Sequence, residues 1–334
     1  IYKKGLCLQS PFFLQKFNIM KKNIENVTII GTGVIGAGWI IRCLAHNKKV
    51  VAYDKDLKLK NKLISEIKRT WPYVKKLFNK KKINLKNFKY VTSLEEALKK
   101  ADFIQECATE NYAVKTKLMT IIEKYAKPNA IISSSSSGLL PTKIYSKCKN
   151  PARTMIGHPF NPVYMCPGVE IVPGKKTKKN FLNKANKFYK SISMNPIMVK
   201  KELPGYLADR LQEALWREAL HIVNEGYAST KDLDRSIEDG PGLRWSLMGT
   251  FLTFHLAGGK AGMKHMLEQF GPALKLPWTK LKAPKLTKKL SSRIIAGTKQ
   301  QAKGKSVSMI SNIRDEYLVN LQKLRKKYEN KIRK

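Results

Sequence analysis

The stretch VTIIGTGVIGAGW, residues 27–39, decides the fold. A β-rich run ends at Ile30, glycines stand at 31, 33 and 36, and an apolar segment of helical character begins at once. A second β-rich run, KVVAY (49–53), is closed by Asp54, 23 residues after Gly31. Three glycines at this spacing are weak evidence alone. With a strand before them, a helix after them and an acid at this distance, they form a dinucleotide-binding fingerprint. Glycines let the backbone approach a pyrophosphate, which then rests against the positive end of the helix. Asp54 accepts hydrogen bonds from both ribose hydroxyls and repels a 2′-phosphate. NAD is therefore expected over NADP, with Lys55 the residue that would soften the preference.

Outward from this unit the same alternation continues. β-Rich runs recur at DFIQE (102–106), AIIS (130–133) and TMIGH (154–158). Helical patterns lie between at 34–46, 57–79, 94–100, 111–126 and 141–147. Ser93 followed by Glu96 reads as a capping box, and Pro128 sits just beyond the fourth of these helices. Strands alternating with helices predict βαβ units and a parallel sheet. GVEIV (168–172), a lysine-rich helix and PIMV (196–199) extend it to one edge. Beyond KKELPG (200–205) the period is 3.6 throughout, with helices predicted at 206–225, 230–237, 261–270 and 310–332. The expected architecture is α/β: a Rossmann-type doubly wound sheet over 20–200, then an all-helical domain over 201–334. Residues 1–19 open on Ile1, and MKKN (20–23) reads as a natural start, so 1–19 are expected to be a disordered or non-native extension.

Composition excludes several other classes. The apolar runs are far shorter than the roughly 18 residues needed to cross a bilayer, so no membrane role is expected. Five cysteines, an odd number without a CxxC pair, fit a reduced cytoplasmic chain with no metal site. The formal net charge of +41 raises nucleic acid as a partner. Yet 54 lysines face only 11 arginines and are spread over nearly every helix, whereas base and phosphate recognition leans on arginine. No nucleic-acid partner is expected.

Chemistry is carried by His158, at the end of TMIGH, and Glu170, twelve residues on within GVEIV. The strand end is where open α/β sheets place ligands. An acid flanked by apolar strand residues is buried only if paired. A histidine–carboxylate pair makes a general base, because the carboxylate fixes the tautomer and stabilises the imidazolium. A serine run, 133–137, follows another strand. It reads equally as a polar loop or as a hydroxyl facing a substrate.

Taken together, GTGVIGAGW, ATEN (108–111), the serine run, GHPFNP (157–162) with VEIV, and PGYLADRLQEAL (204–215) resemble the 3-hydroxyacyl-CoA dehydrogenases over roughly 20–325. PGLRWS and the residues after it, 241–281, resemble the branch of that family that oxidises carnitine. The resemblance implies His158 as catalytic base, Glu170 as its partner and Ser137 as the hydroxyl bonding the reacting oxygen. It implies NAD contacts at Gly31, Thr32, Gly33, Val34, Ile35, Gly36, Asp54, Glu110, Lys115 and Asn161. Asp209 stands where acyl-CoA enzymes carry Asn, which suits a cationic substrate. Arg244 would grip a carboxylate, and Trp245, Tyr164, Tyr206 or Phe254 would face a quaternary ammonium. A plainer role for Arg244 is a helix cap or a pair with Asp239. The small-molecule substrate implied is carnitine, and the assembly implied is a homodimer through the helical domain. A short-chain 3-hydroxyacyl-CoA dehydrogenase is the competing enzyme reading. A crystallin-like NAD-binding protein is the non-catalytic one, disfavoured by intact Ser137, His158 and Glu170.

Overall fold

The structure is a computed structural model. It describes residues 24–246, 249–258, 260, 262–272, 276–280, 285, 287–290, 292, 296 and 303–332. The expected extension, 1–19, lies outside these, as does Cys7. The chain divides at Pro204/Gly205 into two compact units, with Lys76–Asn79 grouped with the second.

The first unit is built on one eight-stranded sheet. Its elements run β1 (Asn26–Ile30), α1 (Val34–Ala45), β2 (Lys49–Tyr53), α2 (Leu59–Phe78), β3 (Phe88–Val91), α3 (Leu94–Leu98), β4 (Phe103–Glu106) and α4 (Tyr112–Tyr125). Then follow β5 (Ile131–Ser134), α5 (Pro141–Ile144), β6 (Thr154–Pro159), β7 (Gly168–Pro173), α6 (Lys179–Ser191) and β8 (Asn195–Met198). The spatial order is β3-β2-β1-β4-β5-β6-β7-β8. The strand order reverses between β1 and β4, so a crevice opens at their carboxyl ends.

Two features differ from the sequence expectation. β3 was not foreseen. It is an edge strand with one partner, and its mixed burial in a lysine-rich stretch leaves little apolar alternation to read. The sheet is also not wholly parallel, because β7 runs antiparallel to β6. Only residues 160–167 separate these two strands. A parallel crossover needs about a dozen residues or more, so the short connection forces the chain to turn back. β8 then pairs parallel to β7 at the far edge.

α1 is apolar nearly all round and buried from Gly36 to Ala45. Within it Arg42 is wholly buried and donates to the carbonyls of Val163, Cys166, Ile192 and Ser193. One guanidinium thus ties the 160–167 connection and the end of α6 to the cofactor-side helix. Burial lowers its pKa to about 10. Ser93 caps α3 by accepting from the Glu96 N–H, but the Glu96 carboxylate turns to Lys89 at 2.6 Å, so only half of the capping box forms.

Among the described residues the regular elements of the second unit are helices: α7 (Ala208–Glu225), α8 (Thr230–Glu238), α9 (Pro241–Trp245), α10 (Thr250–Ala257), α11 (Gly262–Phe270) and α12 (Val307–Ile332). α9 and α10 were not foreseen. α7 begins two residues later than the periodicity predicts, because Gly205 and Tyr206 both adopt positive φ. Gly226, at φ 80°, ends it, with the Tyr227 N–H returning to the Ile222 carbonyl.

Candidate active site

The glycine turn forms at the carboxyl end of β1. Gly31 sits at φ +92°, and a Cβ there would meet the Cys107 carbonyl oxygen at 2.8 Å. A Cβ on Gly36 would meet the Gly31 oxygen at 1.9 Å. Both glycines are demanded by the protein itself. Gly33 is different: nothing lies within 4 Å of its Cβ position, and it caps α1, whose first turn carries no acid. That open, positive helix end fits a pyrophosphate. Asp54 Oδ2 accepts from both the N–H and the hydroxyl of Thr32, each at 3.0 Å, and so fixes the turn. Val34 is exposed and Ile35 half-buried on the first turn of α1. The residues present fit NAD.

The antiparallel pairing of β6 and β7 places His158 directly opposite Glu170. Their side chains meet at 2.9 Å, Nδ1 to Oε2, with His158 4% exposed and Glu170 wholly buried. The Phe160 ring packs edge-on at 5.4 Å. This is an oriented imidazole at a strand end, the arrangement a general base requires.

The serine run divides into five tasks. The Ser133 hydroxyl pairs with Tyr189, that of Ser134 donates to Glu106, and that of Ser135 receives the Trp39 indole and the Gln105 amide. The Ser136 hydroxyl donates to Glu110 at 2.6 Å. Ser137 is the exposed member, anchored through its N–H to Glu110 at 3.0 Å. Four serines therefore serve the fold, and the fifth presents its hydroxyl at the carboxyl end of the sheet. Asn161 is exposed in the β6–β7 connection. Lys115 is buried, with its ammonium on Glu106 and the Ala108 carbonyl and Glu110 within 3.4 Å.

Arg244, Trp245 and Asp209 all belong to the second unit. Arg244 and Trp245 are exposed on α9, and Asp209 lies in the first turn of α7, where an acid complements the helix dipole. Asp239 faces Arg235 at 3.6 Å, not Arg244. Tyr164 is buried with its hydroxyl receiving Arg69. Cys43, Cys107, Cys148 and Cys166 are free thiols, and burial pushes the first three up to about 12, so none of those is a thiolate nucleophile. Sequence reasoning missed Arg42, Glu106, Gln105 and Tyr189. For Arg42 and Glu106 one signal existed: a charged letter inside an otherwise apolar helix or strand.

Known proteins share this sequence pattern and fold. Residues 26–203 match the 3-hydroxyacyl-CoA dehydrogenase NAD-binding domain, and residues 205–305 match the C-terminal domain of the same family. The chain is 49% identical over 298 residues to the L-carnitine dehydrogenase of Oceanobacillus iheyensis, covering 89% of this chain and 97% of that one. It is 45% identical over 316 residues to that of Bacillus cereus, covering 94% and 97%. Among solved structures it resembles an NAD⁺-dependent dismutase, 5-formyl-3-hydroxy-2-methylpyridine-4-carboxylic acid 5-dehydrogenase. The TM-score is 0.76 at 22% identity, over 91% of this chain and 99% of the other. It also resembles (S)-3-hydroxybutyryl-CoA dehydrogenase PaaH1 from Ralstonia eutropha, with a TM-score of 0.59 at 26% identity over 74% and 85%. The chain belongs to the 3-hydroxyacyl-CoA dehydrogenase family and is an NAD-dependent dehydrogenase acting on a CH–OH group.

Proposed function

We propose that this protein oxidises the 3-hydroxyl of L-carnitine to 3-dehydrocarnitine. The observation that carries the reading is its 44–49% identity to curated L-carnitine dehydrogenases along nearly their whole length. NAD, when bound, supplies the hydride acceptor. Gly31, Thr32, Gly33, Val34, Ile35, Gly36 and Asp54 hold it, with Glu110, Lys115 and Asn161 toward its reactive end. Glu170 engages Nδ1 of His158, so the hydroxyl proton is taken at Nε2, and the carboxylate stabilises the imidazolium that results. The Ser137 hydroxyl bonds the reacting oxygen. Positioned proton transfer of this kind contributes ~10²–10⁴-fold.

The helical domain supplies substrate recognition and assembly. Arg244 offers a planar fork to the substrate carboxylate. A quaternary ammonium has no proton to donate, so its partners are the Asp209 charge and the face of Trp245. Exposed Leu211, Trp216, Phe251 and Trp278 in this unit supply apolar surface for a second copy, giving a homodimer. The free thiols accord with a cytoplasmic site of action.

The test follows NADH formation with L-carnitine, D-carnitine and 3-hydroxybutyryl-CoA side by side. L-Carnitine is expected to give the highest kcat/KM. A higher value for the thioester would replace this reading with a short-chain acyl-CoA enzyme. No turnover of any substrate, with NAD still bound, would favour a non-catalytic binder.

A further inference from the structure

The amino end of the sheet carries a basic cleft that no part of the dehydrogenase site uses. It has a volume of about 340 Å³ and lies against β1, β2 and β3 beside α3. Thr28, Val51 and Lys89 stand at one level of the three strands and share a face. That face is the one α3 covers, because the Thr28 hydroxyl donates to the Ala97 carbonyl. With a side-chain period of two, Lys49 projects to the same face as Val51. α3 is only five residues long, so it leaves the beginning of this face open. Two lysines thus occupy sheet positions that a longer helix would cover with apolar contacts. Lys86, just before β3, and Lys99 and Lys100, just after α3, complete the rim.

Charge in the cleft is one-sided. Glu96 is the sole carboxylate among its lining residues, and it is engaged with Lys89 at 2.6 Å. Two acids at neighbouring strand starts are engaged elsewhere: Glu25 with Lys48, and Asp102 with Asn26 and Lys127. Among the described residues, Lys49, Lys86, Lys99 and Lys100 have no acid partner. We propose that this cleft binds a compact polyphosphate, a chain of two or three linked phosphates either free or carried by a nucleotide. A phosphate chain asks for point charges along its length and not for the planar fork of arginine, and lysine supplies them. Four ammoniums drawn from three segments suit a chain better than a single phosphate. The cleft is separate from the glycine turn and from His158, which stand at the carboxyl ends of β1 and β6.

The test titrates inorganic triphosphate, orthophosphate and ATP into the full-length protein by calorimetry at low salt. One equivalent of NADH is added first, so that the glycine turn is already occupied. Lys49→Gln/Lys86→Gln/Lys99→Gln/Lys100→Gln removes the rim of the cleft. Lys175→Gln/Lys176→Gln/Lys178→Gln/Lys179→Gln removes the same charge from another part of the first unit. All eight lysines are exposed, so both variants should fold, and melting temperature checks it. The control tract packs its four lysines into residues 175–179, so charge density alone would make it the better site. One tight triphosphate site per chain is expected, with orthophosphate ~tenfold weaker and binding that falls as salt rises. The cleft variant should lose ~tenfold or more in affinity while the control stays within about twofold, each exposed ion pair adding a modest share. NADH affinity should be unchanged in both. Equal affinity for ATP and inorganic triphosphate would mean that the phosphate chain is all that is recognised, and tighter ATP would make a nucleotide the occupant. Both outcomes uphold the site if the cleft variant loses them. Equal losses in the two variants, absence of a tight site in wild type, or binding that survives the cleft substitutions would overturn it.

Discussion

His158 meets Glu170 through Nδ1 at 2.9 Å, so its part in proton transfer and its orientation can be separated by substitution. His158→Ala is expected to lower kcat by ~10²-fold or more while leaving NADH affinity near normal. Glu170→Gln should cost less, because the imidazole survives with poorer orientation. Steady-state kinetics beside fluorescence titration checks both. Asp54 is doubly employed, since Oδ2 already holds Thr32. Asp54→Ala should therefore weaken NAD ~tenfold to a hundredfold, the worth of a hydrogen bond to a charged group, and narrow the gap to NADP. Equal wild-type efficiency with the two cofactors would contradict the assignment. Arg244→Lys keeps the charge but loses the fork. It should lower kcat/KM for carnitine ~tenfold to a hundredfold and harm carnitine amide less. Equal losses on both would mean that the arginine supports the fold. At this scale strand-end placement was legible: Asp54 just after β2, His158 near the end of β6 and Glu170 inside β7 stand where the pattern put them, whereas Ser137 was singled out by the family resemblance alone. The buried polar network was not legible. Gln105 reaches Tyr189 across 84 residues and Arg42 reaches Ser193 across 151, and only the finished fold brings such partners together.

The unit of strand, glycine turn and helix makes opposite demands on two letters of one motif. Gly33→Ala adds a methyl to open space at a backbone conformation any residue adopts, so melting temperature should hold while NADH affinity drops. Gly36→Ala forces a Cβ into the Gly31 carbonyl, so melting temperature should fall before binding is even measurable. Thermal melts and cofactor titration on the same samples distinguish the two, and identical behaviour would mean that the cradle is misassigned. Most strands and helices were legible because each carries its own period. The reversal of β7 was not read, although its cause, a connection of residues 160–167, was visible in the sequence. That reversal is what puts an acid across from the histidine. The doubly wound part of the fold carries the glycine turn, and the departure from it carries the histidine–carboxylate pair.

For the molecule as a whole, a charge of +41 spread over lysine leaves few carboxylates to set acid stability, and one histidine contributes visibly. His46 lies between the Arg42 carbonyl and the Ser193 hydroxyl, and burial lowers its pKa from 6.5 to about 4. The fold therefore requires the neutral ring. Its contribution is whole above pH 6.5 and is lost as pH falls toward 4. Allowing for the part of the ring that solvent reaches, this is about 1 kcal/mol, or ~2–4 °C in Tm. Melting temperatures measured from neutrality down to mild acid should fall less in His46→Gln than in wild type, and parallel curves would refute the assignment. In the gene that encodes the whole chain, the five-serine run has a further consequence. Deleting any one of its five codons gives the same product, so five distinct mutations converge on a single protein. That protein keeps four hydroxyls for five posts: the Tyr189 bond, the Glu106 bond, the Trp39–Gln105 junction, the Glu110 tether and the outward hydroxyl before Gly138. A repeat that looks expendable on the page is a fivefold mutational target with no spare member.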